Sequence, residues 1–184
     1  MSNRLVGLLA ALLPLATLTA LAAEPRTSAR AVSPDGRITV EVTTDTEGRA
    51  SYAVSRDGRP VIAPSRLGLM FTDTRKFERN LAIVDQRTQA HDERWEQPWG
   101  ERREMRDHHS ALRVTLAETA GPKRRFDVEF RVFDDGVGFR YDVPKQPGLD
   151  RLSIAEELTE FDIADAATAW WIPAFEWNRE EYTY

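Results

Sequence analysis

The stretch FDVEFRVFDDGVGFRYDVP, residues 126–144, decides the fold. Phe126, Val128, Phe130 and Val132 alternate with Asp127, Glu129 and Arg131. Side chains on a strand point to opposite faces in turn, so this period of two marks a strand with one wet and one buried face. Asp134-Asp135-Gly136 turns the chain, and Val137, Phe139, Tyr141 and Val143 then alternate in the same way. The pair reads as an antiparallel hairpin with one apolar face. A hairpin alone is marginal, so that face requires a second layer.

The same pattern extends toward the N-terminus. In SPDGRITVEVTTDTEG, residues 33–48, Ile38, Val40 and Val42 alternate with polar neighbours between two Gly-containing turns. Tyr52 and Val54 share one face of the next strand, and Asp57-Gly58 joins it to a partner that carries Val61 and Ile62. Short apolar runs follow at residues 67–71 and 81–85, and Leu112, Val114 and Leu116 alternate again. Helical periodicity is scarce, and only residues 152–161 offer an ambiguous short helix. These short strands with regular turns predict an all-β fold, an antiparallel β-sandwich or barrel.

Composition sets the compartment and excludes some partners. Residues 1–22 hold Arg4, an apolar run broken by Pro14, and the small-x-small sequence Ala20-Leu21-Ala22, the layout of a cleaved signal peptide. The run falls short of the roughly 20 residues that a spanning helix needs, so no membrane attachment is expected after cleavage. Residues 23–32 read as an extended lead-in, and residues 33–184 as one sandwich domain secreted across the inner membrane, with a periplasmic location expected. The net charge is −5, and loss of the leader with Arg4 makes it one unit more negative. An acidic domain argues against nucleic acid as a partner. Cysteine is absent, which removes disulfides, thiol chemistry and Cys-ligated zinc.

Candidate chemistry is sparse. His108 and His109 are adjacent, so on a strand their rings face opposite ways and make a poor metal pair; with His91 they read as polar or hydrogen-bonded strand residues. Asp134-Asp135-Gly136 lacks the spaced acids of a calcium loop and reads as a turn. Trp95, Trp99, Trp170, Trp171 and Trp177 are core residues by default, or platforms for a pyranose ring. The last sixteen residues, AWWIPAFEWNREEYTY, place Glu180 and Glu181 among aromatics. Neighbouring carboxylates on an extended chain face apart, so they are not a facing acid–base pair across a glycosidic bond. Their hard oxygens suit calcium.

Several blocks together resemble the N-terminal domain of glycoside hydrolase family 97: SPDGRITVEV, GRASYAVSRDGRPVIAPSRLGLMF, WEQPWGERREMRDHHSALRVTL, FDVEFRVFDDGVGFRYDVP and AWWIPAFEWNREEYTY. Their order and spacing, over residues 33–184, carry the resemblance. It implies a galactose-mutarotase-like super-sandwich, incomplete at the C-terminus, that packs on a (β/α)8 catalytic barrel beyond this chain. It implies calcium-dependent, exo-acting hydrolysis of an α-linked oligosaccharide or α-galactoside, with the catalytic carboxylates on the barrel and none in this stretch. It further implies that Glu181, with Glu180 as the alternative, lends a ligand to Ca2+, and that Trp177 and Asn178 lie near substrate. A stand-alone carbohydrate-binding sandwich is the rival reading.

Overall fold

The computed structural model describes residues 27–147, 149 and 151–168. Two four-stranded antiparallel sheets face each other. The first runs in the order β1 (Ser28–Val32), β2 (Ile38–Thr44), β3 (Ala50–Arg56), β4 (Arg59–Arg66). The second runs β6 (Leu81–Glu96), β7 (Glu104–Glu118), β8 (Arg125–Val132), β9 (Val137–Asp142). A small pair, β5 (Leu69–Phe71) with β10 (Ile154–Glu157), closes one side. Among the described residues no helix is long and apolar enough to cross a membrane.

Alternation places the core where the sequence predicts it. Val40 pairs with Val54 and Val42 with Tyr52 on the first sheet. Leu112 pairs with Phe130 and Val114 with Val128 on the second. The strands β1 and β2 lie over β6, β7 and β8, so the two apolar faces meet. Each buried Val, Leu or Phe contributes about 1.5–3 kcal/mol relative to exposure, which is how a disulfide-free domain of this size reaches stability.

Two segments differ from their sequence reading. Within the stretch read as an extended lead-in, Ser28–Val32 forms β1, a full member of the first sheet, with Ala29 and Ala31 buried against the second sheet. The ambiguous helix at residues 152–161 is instead the short strand β10, exposed along its length and held by pairing with β5. The runs at residues 81–85 and 112–116 are pieces of one long hairpin, β6 and β7, paired from Leu81↔Glu118 to Glu96↔Glu104.

Loops between the sheets are tied by close backbone approach and one buried ion pair. Gly48 sits at φ +68°, and a Cβ there would lie 2.5 Å from the Leu81 nitrogen. Only glycine lets the β2–β3 turn accept the Leu81 N–H at 2.9 Å. Glu118 and Arg124, both buried, join the ends of β7 and β8 through bonds of 2.7 and 3.0 Å. Arg124 also donates to Thr74 Oγ1 at 2.9 Å and the Arg75 carbonyl at 2.7 Å, and covers the Phe77 ring. Burial alone would raise the Glu118 carboxyl, but the Arg124 side chain and N–H outweigh it and hold it below 4.5.

A depressed carboxyl contributes stability that is complete above its ordinary value and lost as acid protonates it. Urea unfolding should therefore show stability falling as pH drops below 4.5, the ordinary value for Glu118. Arg124→Met leaves a buried, unpaired carboxylate and should cost about 3–5 kcal/mol at neutral pH. A loss under about 1 kcal/mol would show that Glu118 finds other partners.

Candidate functional site

The residues that sequence analysis singled out as metal-binding or substrate-proximal, Trp177, Asn178, Glu180 and Glu181, lie outside the described residues. The structure does show how the chain is held just before them. The segment 158–164 runs along β4. Leu158 donates to the Gly68 carbonyl and Glu160 to the Arg66 carbonyl; Ala63 donates to Asp162 and Ala164 to Val61. The hydroxyl of Tyr52, whose ring is buried, reaches the edge of the sandwich and donates to the Glu160 carbonyl at 2.9 Å. Burial pushes that phenol up to about 12, so it stays a donor across the physiological range. Glu160 also takes the Arg66 guanidinium, with Nε at 2.7 Å.

This strap covers an aromatic cluster at the edge of the sandwich. Tyr52 and Phe139 pack in a tilted pair with centroids 5.1 Å apart, and Phe161 lies 6.0 Å from Phe139. Phe161 remains 63% exposed, beside exposed Val61 and Ile163. This edge therefore carries an exposed apolar patch.

The second feature is a projecting arm. The strand β8 pairs with β7 only from Ala117 back to Ser110, whereas β6 continues to Glu104. Beyond that point, among the described residues, the two strands pair only with each other, tipped by Trp95 and the 80%-exposed Trp99. One face of the arm holds the bidentate pair Arg106–Asp92, both bonds 2.7 Å. The Arg106 bond holds the Asp92 carboxyl down at about 2. His108 shares that face, 3.9 Å from Asp134.

The other face collects groups that sequence analysis left apart. His91 pairs directly with His109 and Glu93 with Asp107. The two imidazole centroids are 4.8 Å apart. His109 Nδ1 bonds Asp107, and His91 Nε2 lies 3.7 Å from Asp107 and 3.6 Å from Glu93. The opposite orientation of His108 and His109 is as predicted. What the sequence reading missed is His91 across the hairpin. The available signal was HxE at residues 91–93 and DxH at 107–109, mirrored in the two legs of one arm.

Residues 31–184 match the profile of the family described as Glycosyl-hydrolase 97 N-terminal. The chain belongs to this family. A probable retaining alpha-galactosidase of Streptomyces bingchenggensis is 32% identical over 137 residues, covering 74% of this chain and 20% of that protein. Glycoside hydrolase family 97 enzyme structures from Pseudoalteromonas sp. strain K8, in complex with panose or with acarbose, superpose with TM-score 0.77 at 42% identity. They cover 84% of this chain and 23% of theirs. The chain thus spans about a fifth of the length of these relatives. Its fold is that of the family 97 N-terminal domain, an all-β antiparallel sandwich.

The strap generates a testable expectation. Tyr52→Phe removes the bond to the Glu160 carbonyl and should cost about 0.5–1.5 kcal/mol. Hydrogen exchange at the Ala63 and Ala164 amides should accelerate while the β7 amides hold. Equal exchange in both proteins would mean that the backbone bonds alone retain the strap.

Proposed function

We infer that the chain is the N-terminal sandwich of a calcium-dependent, exo-acting α-glycoside hydrolase. The observation that carries this is the 42% identity, over 84% of the chain, to the family 97 enzyme seen with panose and acarbose. Panose is an α-linked glucose oligosaccharide, and the curated relative is named for α-galactosides. Substrate is therefore an α-linked oligosaccharide or an α-galactoside. The general acid and its partner carboxylate belong to a catalytic barrel that this domain packs against. The apolar edge at Val61, Phe161 and Ile163 is suited to such packing, because burying it removes apolar surface from water. The signal-like residues 1–22 would deliver the enzyme to the periplasm.

In this reading the strap aims the tail into the active site. Trp177 and Asn178 then approach the sugar, and Glu181 offers a carboxylate to calcium, with Glu180 as the alternative. The donor chemistry fits: calcium takes oxygen ligands, and a glutamate tail supplies them. The His91–Asp107–His109 group does not fit that ion, since two of its three donors are imidazole nitrogens. When bound, calcium supplies positive charge beside the scissile bond. The contribution of this chain is to hold the ion's ligand in place, because Tyr52, Arg66 and the β4 backbone fix the strap upstream of it.

In the enzyme that contains this domain, Glu181→Gln should raise the calcium concentration for half-maximal activity by about tenfold or more and lower turnover, with the melting curve of the sandwich unchanged. An unaltered calcium titration would remove Glu181 from the site. The exposed Trp95 and Trp99 favour one rival, a stand-alone sugar-binding module. Calorimetric titration of the 184-residue chain with malto-oligosaccharides separates the two: the hydrolase reading predicts no measurable binding by this domain alone.

A further inference from the structure

The arm carries a donor set that neither the family assignment nor the tail accounts for. His91, Asp107 and His109 each offer one ligand atom, and all three atoms lie within 4.8 Å of one another. The grouping follows from register. His91 opposes His109 on adjacent strands, and Asp107 lies two residues from His109, which puts it on the same face. Glu93 completes a two-by-two array of side chains on that face.

We propose that this array is a binding site for a divalent transition-metal ion, with zinc as the best match. Two imidazoles and one carboxylate are the donors that zinc takes in open sites, whereas calcium and magnesium select oxygen. The spacing is close to what is needed. With bonds of roughly 2.0–2.1 Å, a tetrahedral shell has ligand–ligand edges of roughly 3.4 Å. The His91–Asp107 edge is 3.7 Å and no edge exceeds 4.8 Å, so turning the partly exposed His91 ring toward the other two donors closes the set. A fourth position faces solvent, where the exposed Glu93 or a water completes the shell.

The surroundings are arranged as a metal site needs. His109 is 4% exposed, its ring clamped between His91 and Phe133 at centroid distances of 4.8 and 5.0 Å. That clamp fixes the buried ligand before any ion arrives. Asp107 meets Arg131 at 3.6 Å, and Arg131 also approaches Glu129 at 4.0 Å. A metal ion at the array takes over the charge of Arg131 on Asp107, and the guanidinium keeps a carboxylate partner in Glu129. The ion would sit at the root of the arm, joining β6 to β7 one residue beyond the last β8 rung, Ser110↔Val132.

The test is calorimetric titration of the untagged, EDTA-treated 184-residue chain with zinc chloride, and then with calcium chloride. One equivalent of zinc should bind and raise the melting temperature, with calcium giving neither effect at this site. His91→Ala, chosen because His91 is partly exposed, should weaken zinc binding by more than the roughly 10–100-fold that loss of an outer-shell partner costs. Without metal it should keep the parent's β-sheet circular dichroism and a cooperative melt, which separates loss of a ligand from loss of fold. His108→Ala, on the opposite face, should leave the affinity unchanged. Cobalt(II) in place of zinc should give visible bands of tetrahedral intensity that vanish in His91→Ala. Absence of stoichiometric binding, equal affinity in His91→Ala, or a loss in His108→Ala as large as that in His91→Ala would overturn the proposal.

Discussion

The strand β7 sets the geometry of the rest of the domain. Its strict alternation turns Leu112, Val114 and Leu116 inward, and its pairing with both β6 and β8 fixes the second sheet. Slipping that register by one residue would turn Arg113 and Thr115 into the core and expose three fully buried side chains. Such a slip is therefore strongly disfavoured by the hydrophobic term alone. The outer face reinforces the choice, because Arg113 meets Asp127 at 2.7 Å, Glu129 at 3.2 Å and Asp142 at 3.3 Å only in this register. Arg113 and Asp142 keep contact with water while Asp127 and Glu129 are largely covered, so the contacts are part-buried and penalise a shifted register that would leave the two covered carboxylates unpaired.

The same strand changes character where β8 stops. Below Ser110 it is a central strand with a buried face. Above it, among the described residues, the chain is half of a two-stranded ribbon whose side chains, His109 apart, are exposed or half-buried. A ribbon of this kind has no core and is marginal alone, so its shape rests on cross-strand side-chain pairs. The Arg106–Asp92 bond serves one face. On the other face the strongest available pairing is among His91, Glu93, Asp107 and His109. Their position at the root explains why His109 is buried: Phe133, one residue past the end of β8, folds back over it.

Where burial is one-sided, the sequence pattern was enough. The hairpin of β8 and β9, the strands β2 and β3, and the inward half of β7 all read directly from alternation, and the structure places their apolar faces in one core. Where neither face is buried, alternation vanishes. Residues 86–96 are almost uniformly polar, so the upper half of β6 was invisible although its pairing is continuous. The strand β10 was ambiguous for a related reason: Ile154–Glu157 is exposed, and its conformation is imposed by β5, some eighty residues upstream. The β1 strand hid in a polar stretch because its buried residues are alanines. The histidine array failed to show for a further reason. His91 and His109 become neighbours only through the register of a hairpin whose outer half gave no signal. The tail glutamates are legible as adjacent carboxylates that face apart on an extended chain, and only the resemblance to a family gives Glu181 a ligand role.

Donor hardness then separates two regions of one chain. The tail offers carboxylates among aromatics, a set that suits a hard cation and rejects a softer one. The arm offers two imidazoles and a carboxylate, the reverse preference. The regions leave the sandwich at different places: the strap exits along β4 of the first sheet, and the arm extends from β6 and β7 of the second. An ion at the arm root would therefore stiffen the ribbon that carries Trp95 and Trp99, and its donors are not those proposed for calcium. A two-stranded arm gains rigidity most cheaply at its base, because fixing the first unsupported rung restricts every residue beyond it. That is the rung occupied by His91 and His109.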